Sequence, residues 1–121
     1  MLDNPNSNVC SIYNYEYAKK TAKIADSFKG GHAIFMEPSL PIKCAGAPQK
    51  ILYLWTDVWQ KRKIQFNVDF MKSAGVMFSQ PKYSQALVRI AKDYGVNTTF
   101  GHNLLKITED TAIFQNNETK E

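Results

Sequence analysis

Segments of helical period alternate along this chain with short segments of strand character, and that alternation most constrains the fold. Ile64, Phe66, Val68 and Phe70 alternate with Gln65, Asn67 and Asp69, a period of two over seven residues, which is the pattern of a strand. On either side the apolar residues recur at helical spacing. Upstream, Ala47, Ile51, Leu54, Trp55 and Val58 form one stripe, widened by Leu52 and Trp59, with Pro48 in the first turn, where its missing N–H costs nothing. This predicts a helix over 46–60. Downstream, Tyr83, Ala86, Leu87, Ile90, Ala91 and Tyr94 predict a helix over 81–94, with Ser79 as its cap and Gly95 as its stop. Near the start, Tyr17, Thr21, Ile24, Ala25 and Phe28 predict a helix over 14–28, with Lys19, Lys20, Lys23 and Asp26 on its other side and Gly30-Gly31 ending it. A short apolar run at 33–36 reads as a strand, Val96 to Phe100 as another, and Leu104–Ile107 with Ala112–Phe114 as two more. Pro38 and Pro41 frame a loop.

The resulting order is helix, strand, helix, strand, helix, then three strands. It implies an α/β fold: a Rossmann-like parallel sheet with covering helices plus a small antiparallel strand annex. Residues 1–13 read as an N-terminal loop, 14–116 as a single domain and 117–121 as a polar tail.

Composition narrows the function classes. A net charge of +4, from 15 Lys and Arg against 11 Asp and Glu, is mildly basic. The densest basic run is Lys61-Arg62-Lys63, which sits where a helix ends and is favoured there by the macrodipole. Nucleic-acid binding would need a longer basic stripe or an aromatic stacking motif, and neither is present. Two cysteines cannot make a disulfide scaffold, and no apolar run approaches the ~20 residues of a membrane helix. No signal peptide is readable at the start, so the chain is expected inside the cell.

The most informative segment is Pro41-Ile42-Lys43-Cys44-Ala45-Gly46-Ala47-Pro48-Gln49-Lys50. It lies between a predicted strand and a predicted helix, where a Rossmann unit carries its phosphate loop. The G-x-G-x-x-G of such loops is absent; only Gly46 is present. A cysteine stands there instead, at a helix N-terminus and between Lys43 and Lys50. Unpaired backbone N–H groups and neighbouring ammonium groups both favour a thiolate, the form that attacks sulfur or flavin. Ala45, Gly46 and Ala47 leave room for a planar group to approach. The other reading of Cys44 is a buried structural thiol. Cys10, outside any such context, reads as a bystander thiol. Cys10, Cys44, His32 and His102 have no metal-ligand spacing, so no metal is expected. Trp55 and Trp59, four apart, read as core.

The run Gly31–Lys50, GHAIFMEPSLPIKCAGAPQK, resembles the catalytic-cysteine segment of the sulfide:quinone oxidoreductases, most of all their mitochondrial and related bacterial branch. Ile51-Leu52-Tyr53-Leu54, Lys63-Ile64-Gln65-Phe66 and Tyr83-Ser84-Gln85-Ala86-Leu87 extend the resemblance, which spans about Val9 to Asn116. It implies part of an FAD-dependent enzyme of the pyridine-nucleotide-disulfide reductase type. Such enzymes oxidise hydrogen sulfide through two redox cysteines and reduce a membrane quinone. The resemblance assigns Cys44 as the redox cysteine facing the flavin and Lys43 and Lys50 as residues that make the active-site cavity electropositive. It places the chain as the inserted second nucleotide-fold domain of the parent enzyme. The FAD-binding segment and the second redox cysteine then lie outside these 121 residues. The chain by itself is accordingly expected to be inactive and to bind neither FAD nor quinone tightly, with the remaining domains of the parent as its partners. The implied location is the mitochondrial inner membrane, peripherally, in a eukaryote, or the cytoplasmic membrane in a bacterium. The alternative is a free-standing thiol module, not an enzyme, that carries persulfide sulfur on Cys44.

Overall fold

The computed structural model describes residues 1–121. Its contacts divide into two compact units, Met1–Gly30 and Gly31–Glu121.

The first unit is a loop followed by helix α1 (Tyr15–Ser27). Asn14 caps α1 in extended conformation, its side chain accepting from the N–H groups of Glu16 and Tyr17, which satisfies donors that have no intrahelical partner. The helix ends at Phe28, three residues before Gly31, whose place is already in the first strand. The glycine pair therefore does not close this helix. Gly30 and Gly31 instead take φ of 127° and 110°, a conformation that favours glycine. Lys20 does not lie opposite Tyr17 and Thr21 as the sequence suggested. At i+3 from Tyr17 it shares their face, and all three side chains bond to the preceding loop.

The second unit runs β1 (Gly31–Glu37), α2 (Ala47–Lys61), β2 (Phe66–Lys72), α3 (Pro81–Asp93), β3 (Val96–Thr99), β4 (His102–Ile107) and β5 (Ala112–Asn116). β1, β2 and β3 form a parallel sheet in that order, and β4 pairs with β5 antiparallel. The expected architecture is therefore present, with its annex. Gly101 N–H bonds to Ala74 O, and the Asn117 side chain to Ser73 O, so the annex hangs from the segment that follows β2.

The core lies between the sheet and α2. In the β1–β2 register Ala33 is beside Val68 and Phe35 beside Phe70. Trp59 of α2 meets the rings of Phe35 and Phe66 with centroids 6.0 and 5.6 Å apart, and stacks on Trp55. α3 is tied to α2 by Tyr53 Oη donating to Leu87 O and by the stacked rings of Tyr53 and Tyr94.

Two expectations about helix faces need correction. The buried line on α2 is Gln49, Leu52, Thr56 and Trp59, and Leu54 is exposed. Thr56 is buried at no hydrogen-bonding cost because its hydroxyl donates back to Leu52 O. On α3 Ala91 is buried, while Tyr83 and Ile90 are exposed. Nor does Ser79 cap α3: the N-cap is Gln80, without a side-chain bond, and Ser84 Oγ accepts the Phe78 N–H instead.

The second strand begins at Phe66 rather than Ile64, and the reason is the end of α2. Lys63 takes φ of 57°, its N–H bonds to Gln60 O, and Ile64 N–H bonds to Trp59 O. These are the two bonds of a Schellman closure, and they keep Ile64 in the helix terminus. α3 closes with Gly95 at φ 73°, where an L side chain would be strained.

Candidate functional site

The loop 38–46 leaves the carboxyl end of β1 and enters α2. In open parallel sheets that end of the strands is where ligands bind. Cys44 is exposed in this loop. Its C=O accepts the Ala47 N–H at 3.2 Å, so a tight turn carries it up to the first turn of the helix. Gly46 is the N-cap, with no side-chain cap, and Lys50 N–H makes the first helical bond to Gly46 O at 3.0 Å. The positive end of a 15-residue helix thus faces the cysteine loop without a capping carboxylate or hydroxyl.

Lys43, Ala45 and Lys50 are exposed, and Gly46 and Ala47 half-buried. The structure brings Lys43, Cys44, Ala45, Gly46, Ala47 and Lys50 together in one loop and helix start. Gly46 has φ of −91° and nothing within 4 Å of where a Cβ would stand. Neither backbone conformation nor any contact within this chain requires glycine there.

Beside the loop lies an open hollow of about 290 Å³, lined by Gly46, Gln49, Lys50, Tyr53, Phe78 and Leu87. Burial pushes the Tyr53 phenol up to about 12. Gln49 is buried, and its Nε2 donates to Met77 O at 2.6 Å. That bond ties the segment after β2 to the first turns of α2.

Beneath the loop, Glu37 and Lys72 end the β1–β2 ladder side by side. Lys72 Nζ lies 2.5 Å from Glu37 Oε1, with both side chains buried, and Glu37 Oε2 has no hydrogen-bond partner. The sequence reading passed over both residues. The signal was there: Glu37 is in phase with Ala33 and Phe35, and Lys72 with Val68 and Phe70. A charge at an inward position of each of two strands announces a buried pair.

The other candidates sit elsewhere. Cys10 is half-buried in the first unit and is not in a disulfide. His32 Nε2 lies 2.7 Å from Asp69, whose other oxygen accepts from Asn97, and His102 Nδ1 bonds to Phe100 O. No group of three or more His, Cys, Asp or Glu side chains could hold a metal ion. No helix is long and apolar enough to cross a membrane.

Fold and site together define a class: a parallel α/β unit that presents an exposed cysteine between a strand end and a helix start, where a dinucleotide-binding Rossmann unit carries a glycine loop. No family model matches the chain. The chain is 43% identical over 112 residues to the mitochondrial sulfide:quinone oxidoreductase of Dictyostelium discoideum, 36% over 121 residues to that of Schizosaccharomyces pombe and 37% over 109 residues to that of Mus musculus. These alignments take in 88, 95 and 87% of this chain but only 25, 26 and 24% of the relatives. By sequence, then, the chain is a relative of the sulfide:quinone oxidoreductases over one segment, about a quarter of their length. The sulfide:quinone oxidoreductase of Aquifex aeolicus has the same fold, with a TM-score of 0.67 at 18% identity over 90% of this chain and 27% of that one. So does a chain of the Tetrahymena thermophila mitochondrial ATP synthase, with a TM-score of 0.68 at 14% identity over 99% of this chain and 32% of that one.

Proposed function

We propose that this chain is the cysteine-bearing segment of a sulfide:quinone oxidoreductase, the inserted second nucleotide-fold domain over 14–116 of a flavoenzyme that oxidises hydrogen sulfide and reduces a membrane quinone. The observation that carries it is the exposed Cys44 at the carboxyl end of β1, in a chain whose relatives of 36–43% identity bear that name. Cys44 presents the reacting sulfur. Lys43 and Lys50 draw hydrosulfide and anionic sulfur acceptors toward it. The open start of α2 favours negative charge on the same side.

The open space at Gly46 fits a planar group lying against the loop, and FAD is the group this family implies. When bound, the flavin supplies the acceptor for the two electrons of sulfide oxidation. Ala45, Gly46 and Ala47 would line its approach, and the remaining domains of the enzyme would hold it. The names of the relatives support a mitochondrial location if the source is a eukaryote.

Alkylation with iodoacetamide, followed by mass spectrometry, tests the role of Cys44. Exposed Cys44 should label several-fold faster than half-buried Cys10 near neutral pH. Equal rates, or faster labelling of Cys10, would remove the support for Cys44 as the reactive thiol. In parallel, FAD titrated into the 121-residue chain should give no saturable fluorescence change at low micromolar concentration, because the chain holds no G-x-G-x-x-G loop.

A further inference from the structure

The first unit holds a cluster that the proposed chemistry does not use. Lys20 Nζ lies 2.7 Å from Asn4 O, 2.7 Å from Val9 O, 3.2 Å from Leu2 O and 3.3 Å from Met1 O. An ammonium has three N–H donors and no acceptor. The two short contacts take one donor each, and the two long ones share the third. Its neighbours on the same helix face extend the grip: Tyr17 Oη donates to Asp3 Oδ1 at 2.6 Å, and Thr21 Oγ1 shares its one hydrogen between Ser11 O at 3.0 Å and Tyr17 O of its own helix at 2.9 Å.

Beyond these tethers the loop is held by the half-burial of Leu2, Val9 and Cys10 and by local hydrogen bonds. Its other hydrogen bonds are local turns, Asn4 N–H to Met1 O, Ser7 N–H to Asn4 O, Asn6 N–H to Asn4 Oδ1 and Val9 N–H to Ser7 Oγ. None of these reaches further than three residues, so none fixes the loop against the helix. Charge-assisted bonds are roughly twice as strong as neutral ones, and of the three tethers Lys20 alone gathers several carbonyls at once. Cys10 lies between Val9, whose carbonyl Lys20 holds, and Ser11, whose carbonyl Thr21 holds.

We infer that Lys20 is a charge-operated strap: its ammonium closes the loop of residues 1–11 onto α1 and so sets the exposure of the Cys10 thiol. The device depends on charge and on converging donors. A neutral side chain of the same length supplies no donor, and a planar guanidinium cannot direct its N–H groups onto carbonyls converging from several sides.

Hydrogen exchange read by mass spectrometry, with timed alkylation of Cys10, tests the strap in the 121-residue chain. In Lys20→Met the amides of Asn4 and of residues 6–9 should exchange, and Cys10 should alkylate, about tenfold faster or more, while amides of β2 keep their protection. Lys20→Arg should fall between Lys20→Met and the native chain. Unchanged exchange and labelling in Lys20→Met would overturn the inference, as would full native protection in Lys20→Arg. Should Lys20→Met unravel α1 itself, the native protein still decides. A slowly exchanging ¹⁵N-ammonium resonance for Lys20 supports the strap, and exchange as fast as that of exposed Lys43 refutes it.

Discussion

Removing one partner of the Glu37–Lys72 pair should cost far more than removing both. The two side chains are in contact at the last rung of the β1–β2 ladder, and each is almost wholly shielded from water. Glu37→Leu leaves a buried ammonium with no counter-charge. Lys72→Met leaves a buried carboxylate with nothing on either oxygen, since Oε2 has no partner even now. Each single change should cost about 3–5 kcal/mol. A chain of 121 residues is stable by roughly 6–18 kcal/mol at ~0.05–0.15 kcal/mol per residue, so one change removes a large share of it.

The double variant Glu37→Leu, Lys72→Met continues the apolar lines of Phe35 and Phe70. It should unfold within about 1 kcal/mol of the native chain, or be more stable by ~1–4 kcal/mol. Urea unfolding followed by tryptophan fluorescence reports this directly, because the two tryptophans stack in α2 and Trp59 packs on Phe35 of β1. With a slope of ~1–3 kcal/mol per molar urea, each single change should lower the midpoint by about 1–5 M. Single changes that cost under about 1 kcal/mol, or a double variant that loses the sum of the two, would refute the reasoning.

Gly46→Ala should change the urea midpoint by no more than a few tenths molar, because its φ of −91° suits alanine and nothing stands within 4 Å; a loss above ~1 kcal/mol would show a steric demand inside the chain. Tyr53 should titrate near 12, since burial disfavours its phenolate. Its folded pKa lies above the ordinary 10, so its contribution is complete below pH 10 and is lost as pH rises from 10 toward 12. In absorbance titration at 295 nm the latest component should vanish in Tyr53→Phe, and its persistence there would assign it elsewhere.

The order of elements was legible because two periods, 3.6 and 2, alternate with glycine and proline between them. Element ends were less so. Lys63 adopts a left-handed conformation that its residue type does not advertise, and this moved the start of β2 by two residues. Helix faces were misjudged where apolar residues surround the helix. α2 carries Ile51, Leu52, Leu54, Trp55, Val58 and Trp59, more than one sheet face can cover. The sheet takes the line in which Thr56 donates to Leu52 O and Gln49 Nε2 to Met77 O, although Gln49 Oε1 is left buried without a partner. Leu54 is left outside at 55% exposure. Counting hydrophobic residues could not choose between these lines, because the choice depends on where two polar side chains find partners.

The cysteine loop stood out in the sequence for a different reason, a cysteine between two lysines at a predicted helix start, and in the structure its residues make poor sense as packing. Gly46 answers to no left-handed conformation and no close neighbour, the start of α2 has no side-chain cap, and Cys44 is exposed rather than filling the core. Each of these is a feature a chain selected for its own stability would lose. Gly46 has helical backbone angles, φ −91° and ψ −15°, so the first turn of α2 is not set up for a side-chain cap from that position. A carboxylate at position 46 would set a negative charge near the sulfur that Lys43 and Lys50 are proposed to serve, and any side chain there would occupy the open space beside the loop. The departures from good packing lie at Cys44 and Gly46, while Pro48 and then Leu52, Thr56 and Trp59 immediately downstream are buried. A local breach of that kind, bounded by well-packed structure, is what a binding surface for something outside the chain would produce, and it is the physical ground for reading function from this loop and from no other part of the sheet.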